Sequence, residues 1–345
     1  WSQIVPLVAV LSGRKGKEIV DELAHSCESL PPTVEDNPRS QPPLCIVILA
    51  QCLSDEVQLA PSDLDKALIA LIGAISNRKS FRQGAVIKLL LSLDSSKFGQ
   101  AFRRLLYSRY ENMGEDASEL ASFLGLLLAK DLGFSSDERL SIPQGLIKGI
   151  RERLQSDKAI DQASAASLLM HKAFLVYEAT LGTKHLASIE ELYELGDIVC
   201  PLLGSPHSFV QYPAAWALAW IGSLGWKPSR KPDVYLWLGN LFLYSDNYYV
   251  QRQVCWAILT IANVSRNDIT LSEPPQKLID AILRSDQMPH ESWPVSSALA
   301  GITLAYYYRK PWSLEQMRER VERIKSPENR PSWEYSHFLR YLESE

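Results

Sequence analysis

The chain has 345 residues, of which 46% are hydrophobic and 22% are charged, with a formal net charge of -4. A chain this apolar and this close to neutrality buries enough surface to fold, which excludes intrinsic disorder. Its 5 cysteines are too few for a disulfide scaffold, and no apolar run reaches the roughly 18 residues that span a bilayer. Because no part of the chain is strongly basic, we expect a protein partner, with neither a nucleic-acid nor a membrane partner.

Helix signals recur along the whole chain, whereas the alternating runs typical of β-strands are absent. About seventeen helices joined by short connections are predicted, which makes the fold all-α. The chain begins at Trp1 without an initiator methionine, so we expect it to be a piece of a longer polypeptide.

Residues 1–140 form the predicted N-terminal helical array, and a proline-rich segment at 28–43 interrupts it. This segment has almost no large apolar side chains, so it cannot build a core and is predicted to be an exposed loop. Two interpretations stay open, an insertion between two helices and a docking segment for a partner. Its prolines are Pro31, Pro32, Pro38, Pro42 and Pro43.

Residues 141–345 contain a repeat. The segments 209–222, 249–262 and 293–306 align without a gap, at offsets of about 40 and 44 residues. Each begins with an aromatic residue, and positions five, eight, nine and twelve after it share one helix face. In the first two segments these positions are Ala214, Ala217, Leu218, Ile221, Val254, Ala257, Ile258 and Ile261. In the third they are Ala298, Gly301, Ile302 and Ala305.

This pattern resembles the second helix of the HEAT repeat family, closely over 205–309 and more loosely over 60–180. The resemblance implies an α-α superhelix, a HEAT-like repeat solenoid that continues from the first part of the chain into the second. The first helices depart from the common form because they lack its proline turn and its Asp/Arg ladder.

The first 75 residues resemble the helical segment that follows the NACHT-type module of STAND ATPases. The match rests on Trp1, Ile4, Val5 and Leu7 and on the stretch LAQCL at 49–53. It implies that an ATPase module lies upstream in the same polypeptide and that this chain is its sensor or scaffold segment. In that family, ligand binding to the helical array releases an ATP-dependent oligomerisation, often in antiviral defence. The alternative is a free-standing HEAT-like adaptor.

Motifs that carry enzyme chemistry are absent from the sequence. There is no GxxxxGK[ST] phosphate loop, no HExxH and no paired Cys/His spacing, so we expect no cofactor, no metal and no enzymatic activity. The cysteines form no CxxC pair and mostly lie in apolar helical patterns, which is typical of buried thiols in a reducing compartment. This predicts a cytoplasmic protein.

Aromatic residues concentrate towards the C-terminus, where eight of the 9 Trp lie beyond residue 205. Consecutive tyrosines cannot all face one helical core, so at least one ring of each run should project outwards. Aromatic and arginine side chains are enriched at binding hot spots. The predicted protein-binding residues are Tyr249, Arg252, Tyr307, Arg309 and Trp312.

A HEAT-like DNA glycosylase is the enzymatic alternative. Such enzymes use a concave surface that carries tryptophans, an aspartate and basic residues, and the repeat region offers Trp216, Trp220, Trp256, Asp246 and Arg252. Trp216 and Trp256 occupy equivalent repeat positions, which favours packing between helices instead. The absence of a basic stripe also argues against duplex DNA.

Overall fold

The computed structural model describes residues 4–30, 42–77, 84–112, 118–134, 143–181 and 189–229, together with positions 234, 237–241, 253–254, 256–258 and 260–261. These residues form helices and the turns that connect them, and no strand occurs among them. The predicted all-α fold is therefore confirmed.

Eleven α-helices have both ends within the described residues. They are α1 (Ile4–Leu11), α2 (Gly16–Glu28), α3 (Leu44–Ser54), α4 (Pro61–Asn77), α5 (Gly84–Ser95), α6 (Gly99–Asn112), α7 (Ser118–Asp131), α8 (Gln144–Leu154), α9 (Ala159–Leu181), α10 (Ile189–Val199) and α11 (Ser208–Ser223). Short 3-10 helices at Gly13–Lys15 and Cys200–Gly204 precede α2 and α11.

The chain divides into two compact units, Trp1–Leu127 and Leu128–Glu345. The predicted bounds at residues 140 and 141, and the predicted continuity of the array across them, stay predictions. Residues 135–142 lie outside the described part of the chain.

In the first unit, contacts between chain neighbours join α1 to α2, α2 to α3, α3 to α4 and α5 to α6, and further contacts skip one helix. The next-but-one contacts join α1 to α3 and α3 to α5, and likewise α2 to α4 and α4 to α6. They sort the helices into a first layer (α1, α3, α5) and a second layer (α2, α4, α6). A chain in which helix pairs contact only neighbouring pairs is an α-solenoid.

The second unit repeats this pattern. Helix α8 contacts α9 and α10, while α11 contacts α9 and α10. Its first layer therefore contains α8 and α10, and its second layer contains α9 and α11. Helical residues 256–258 and 260–261 continue the stack, because the Thr260 Oγ1 hydroxyl donates to the Ala219 carbonyl at 3.3 Å.

The inward face predicted for the repeat is confirmed in its first two segments. Segment 209–222 lies within α11, and the described residues of segment 249–262 are helical. All eight predicted inward residues are 0% exposed: Ala214, Ala217, Leu218, Ile221, Val254, Ala257, Ile258 and Ile261. The third segment, 293–306, lies outside the described residues.

Three helices end in the same turn, in which two backbone N–H groups cap the last carbonyls. Gly133 and Gly225 occupy its left-handed position after α7 and α11, with φ of 77° and 102°. After α3 the same position is occupied by Glu56 at φ 61°. This conformation is energetically unfavourable for a residue that has a Cβ atom.

A contact with the next helix pair holds the Glu56 side chain in place. Its carboxylate Oε1 accepts the Lys97 backbone N–H at 2.8 Å, 41 residues along the chain. Arg104 Nη2 lies 2.8 Å from Asp65 Oδ1 across 39 residues, and Arg151 Nη2 lies 2.8 Å from Glu194 Oε2 across 43. Adjacent helix pairs are thus joined by polar contacts between residues about 40 positions apart in the chain.

Candidate protein-binding surfaces

The five residues predicted to bind a partner, Tyr249, Arg252, Tyr307, Arg309 and Trp312, all lie outside the described residues. Their role stays a prediction. The described surfaces that bear on binding are an aromatic cluster in the second unit, and a cleft and an exposed apolar stripe in the first unit.

The aromatic cluster joins α9, α11 and the helical residues at 256–258 of the second unit. The Trp220 ring lies 4.9 Å from Phe174 and 5.3 Å from Tyr177, both on α9, and 5.2 Å from Trp256 (ring centroids). Trp220 is 8% exposed. These rings fill the space between neighbouring helices and act as core.

The two tryptophans at equivalent repeat positions are half-buried. Trp256 packs between helices as predicted, since its indole Nε1 donates to the Ser223 hydroxyl of α11 at 3.1 Å. The Trp216 ring meets the edge of Tyr212 on its own helix, with centroids 5.4 Å apart. Because Trp220 and Trp256 are used in packing, they are poorly placed to stack on an extruded base, which weakens the glycosylase alternative. Its Asp246 and Arg252 lie outside the described residues.

A cleft of about 430 Å³ lies on the second layer of the first unit. Helix α4 contacts both α2 and α6, so the end of α2 and the last turns of α6 flank it. The buried lining residues are Cys27, Ala70, Ile72 and Ala74. The partly or fully exposed ones are Glu28, Leu30, Ile69, Gly73, Leu105, Ser108, Arg109 and Asn112.

Ile69 gives this cleft an exposed apolar side chain. Residues 67–72 of α4 are all apolar, so this helix presents apolar side chains on every face. Packing against α2, α3 and α6 buries most of them, but Ile69 remains 55% exposed. Ile69 thus adds apolar surface to a concave site, and concavities lined mainly by apolar side chains are typical of binding sites.

Gly73, one turn after Ile69, leaves the cleft open. A Cβ on this glycine would have no heavy atom of the described residues within 4 Å, so close packing does not explain why this position lacks a side chain. Glycine inside a helix costs about 0.5–1 kcal/mol relative to alanine. The missing side chain therefore creates space at a cost in helix stability.

Two opposite charges flank the cleft. Glu28 ends α2 and Arg109 lies in the last turn of α6, and both are exposed. Within the described part of the chain, neither forms an ion pair. Next to Arg109, the Asn112 amide donates to the Ser108 carbonyl at 2.7 Å, so Asn112 is oriented by its own helix.

Helix α1 carries the exposed apolar stripe. Four of its residues recur at helical spacing on one face, and none of its residues is charged. The stripe consists of Ile4, Leu7, Val8 and Leu11, which are 56%, 58%, 46% and 76% exposed.

The described residues contain no group of three or more His, Cys, Asp or Glu side chains arranged to hold a metal ion. Burial raises the pKa of the Cys52 thiol to about 12 and also raises the pKa of Cys200. Because the thiolate is the reactive form, neither cysteine is a nucleophile at neutral pH. Among the described helices, none has both the length and the apolar composition needed to cross a membrane.

Comparison with known proteins identifies no family. No protein-family profile and no curated protein matches the chain. Among solved structures, an engineered protein is 16% identical with a TM-score of 0.38, and the match covers 84% of this chain and 97% of that one. A designed armadillo repeat protein is 16% identical with a TM-score of 0.35, covering 83% and 99%.

A third solved structure, a mutant of Kap121p, is 13% identical with a TM-score of 0.38. The match covers 94% of this chain but only 39% of Kap121p. Similarities this low say nothing about ligand or activity. The repeat architecture described above rests on the helix contacts of the chain itself.

The cleft is not among the sequence-based predictions, although the sequence contains two signals for it. One is the uninterrupted apolar run at 67–72, which leaves no polar face for solvent. The other is Gly73 inside that helix, since an isolated helical glycine usually has a packing or functional reason.

Proposed function

We propose that this chain is a non-enzymatic, protein-binding α-solenoid that acts as a scaffold or sensor. The observation that carries the proposal is the cleft on the second layer of the first unit, with its exposed Ile69 and with Arg109, which forms no ion pair with a described residue. An apolar centre flanked by charges is the usual composition of a protein-binding site. The net charge of -4 gives no field that would favour nucleic acid.

A library of random 16-residue peptides displayed on phage tests this function with the intact chain. We expect enrichment of sequences whose synthetic peptides bind reversibly and saturably. Failure to enrich any peptide, with a correctly folded chain, would contradict a role in peptide or protein binding.

A second proposed surface consists of the predicted residues Tyr249, Arg252, Tyr307, Arg309 and Trp312. Their support is the enrichment of tyrosine, tryptophan and arginine at hot spots. Substituting all five with alanine should weaken partner binding while the helical circular dichroism is retained. Unchanged binding would remove this surface from the proposal.

More specifically, we propose that the chain is the sensor segment of a larger STAND-type ATPase, in a system such as antiviral defence. The support is the resemblance carried by Trp1, Ile4, Val5, Leu7 and residues 49–53. The test is to determine the coding sequence directly upstream of Trp1. A P-loop module there would support the sensor, whereas a stop codon or an unrelated domain would leave a free-standing adaptor.

A further inference from the structure

We infer that the cleft binds an amphipathic peptide segment of a protein partner, which places one bulky apolar side chain over Gly73 beside Ile69 and a carboxylate against Arg109. This inference deepens the proposed function and rests on it. It names the class of partner that the cleft would select.

The space for an apolar side chain is already present. A Cβ on Gly73 would have no heavy atom of the described residues within 4 Å, and the buried residues that line the same cleft are Ala70, Ala74, Ile72 and Cys27. A cleft of about 430 Å³ that is open to solvent accommodates one or two large side chains. This size suits an anchoring residue of a peptide.

Apolar contact supplies the driving force at this position. Ile69 is 55% exposed, and Leu105 of α6 is half-buried at the same cleft. A partner side chain that covers both would remove apolar surface from water. Leu, Phe or Trp fits this requirement, whereas a small or charged side chain does not.

The charged residues of the cleft determine which charged residues the bound peptide should carry. Arg109 is exposed on the α6 side of the cleft and pairs with no described residue, and its guanidinium can hold a carboxylate through two parallel hydrogen bonds. Glu28 lies on the α2 side. The segment should therefore place its acidic residue towards α6 and tolerate a basic residue towards α2.

The cleft does not fit a nucleic acid. Among the described residues that line it, Arg109 is the only basic one, and Glu28 offsets that charge. A phosphate backbone requires several cationic contacts in succession. A peptide with a single carboxylate beside an apolar anchoring residue requires only one cationic contact.

The experiment uses the intact chain and the phage-displayed library of random 16-residue peptides. Peptides enriched on the wild type should combine a Leu, Phe or Trp with an Asp or Glu a few residues away. Synthetic copies of these peptides should lose about tenfold or more in affinity for Gly73→Leu, whose side chain fills the space. They should lose a similar factor for Arg109→Glu, and exchanging the peptide's acidic residue for lysine should restore that loss.

Two controls keep the result specific. Gly73→Ala adds one methyl group at the same position and should bind nearly as the wild type does. Leu44→Ser removes an apolar side chain that is 55% exposed at the start of α3, outside the cleft and the α1 stripe, and it should leave binding unchanged. Circular dichroism of every variant establishes that the helices are retained.

Each outcome decides between the claims. If the enriched peptides bind Gly73→Leu and Arg109→Glu as tightly as the wild type, the cleft is not their site and the inference is wrong, although the protein-binding function stands. If the enriched peptides carry no acidic residue, or if lysine fails to rescue Arg109→Glu, the carboxylate pairing is wrong. If no peptide is enriched on any variant, the proposed function itself fails.

Discussion

The second layers of the two units fill the space between neighbouring helices in opposite ways. Between α9 and α11, the rings of Phe174 and Tyr177 meet Trp220, which is 8% exposed. Next to α4, Gly73 contributes no side chain and Ile69 remains 55% exposed. Helices that occupy corresponding places in a repeat thus serve as core in one unit and as an open surface in the other. The difference depends on which side chain occupies the space.

The largest effect on stability should come from removing the Trp220 ring at the centre of the aromatic cluster. Trp220→Ala would leave a cavity among three aromatic neighbours and should lower the free energy of unfolding by about 3–5 kcal/mol. Ile69→Ala, at the open cleft, should change it by less than about 1 kcal/mol. Urea unfolding followed by circular dichroism measures both. Equal losses would show that Ile69 is part of the core and that the contrast between the two layers is wrong.

A pair of glycine substitutions sharpens the contrast. A Cβ on Gly196 would lie 2.8 Å from Cε2 of the buried Trp226 ring, whereas one on Gly73 would have no neighbour among the described residues within 4 Å. Gly196→Ala should therefore destabilise the chain by about 1–3 kcal/mol. Gly73→Ala should stabilise it by about 0.5–1 kcal/mol. Melting temperatures that shift in the same direction for both variants would contradict the account.

Thiol reactivity compares buried with half-buried positions. Cys52 and Cys200 are buried with raised pKa values, whereas Cys45 is half-buried. In a Cys255→Ser background, a disulfide reagent at pH 8 should modify Cys45 at least about tenfold faster than the other two. The additional variant Cys45→Ser should lose this fast phase. A fast phase that persists would show that Cys27, Cys52 or Cys200 is accessible.

The same pKa values predict how stability depends on pH. The folded pKa of Cys52, about 12, lies above the ordinary value of 9.0. Ionisation of this thiol then favours the unfolded chain at high pH. Its stabilising contribution should be intact below about pH 9 and decline as the pH rises towards 12. Urea unfolding of Cys52→Ala should show a weaker decline over this range than the wild type.

The smallest effect should come from the repeat-spaced ion pairs. The side chains of Arg104 and Asp65 are 64% and 42% exposed, so solvent screens their interaction. Arg104→Ala should cost less than about 1 kcal/mol, and the cost should shrink in 1 M salt. A larger, salt-independent loss in urea unfolding would mean that these polar contacts hold the array together more than the packing does.

The sequence allowed prediction of the fold wherever small and large apolar residues alternate at helical spacing. Segments 209–222 and 249–262 show such a face, and all eight of its inward residues are 0% exposed. In α4 the run at 67–72 is apolar on all faces, so periodicity could not tell Ile69 from the buried Leu68 and Ala70. Only the neighbouring helices α2, α3 and α6 decide which of these side chains stays exposed.

The cleft could not be predicted from the sequence either, because it is formed by residues that are distant in the chain. Its lining comes from α2, α4 and α6, which are separated in the chain by about one repeat each. The polar contacts of Glu56 with Lys97 and of Arg104 with Asp65 have the same origin. Their spacing of 41 and 39 residues becomes meaningful only when the helix pairs are known to stack.

The most direct test of the open cleft is methyl NMR of the chain labelled at its isoleucine δ1 methyl groups, titrated with a peptide enriched on the wild type. Ile69 and Ile4 are almost equally exposed, at 55% and 56%, but of these two only Ile69 lines the cleft. Ile75 is 0% exposed and does not line it. We predict that the Ile69 methyl signal shifts saturably with peptide concentration and that those of Ile4 and Ile75 stay in place. A shift of Ile4 with no change at Ile69 would contradict the account.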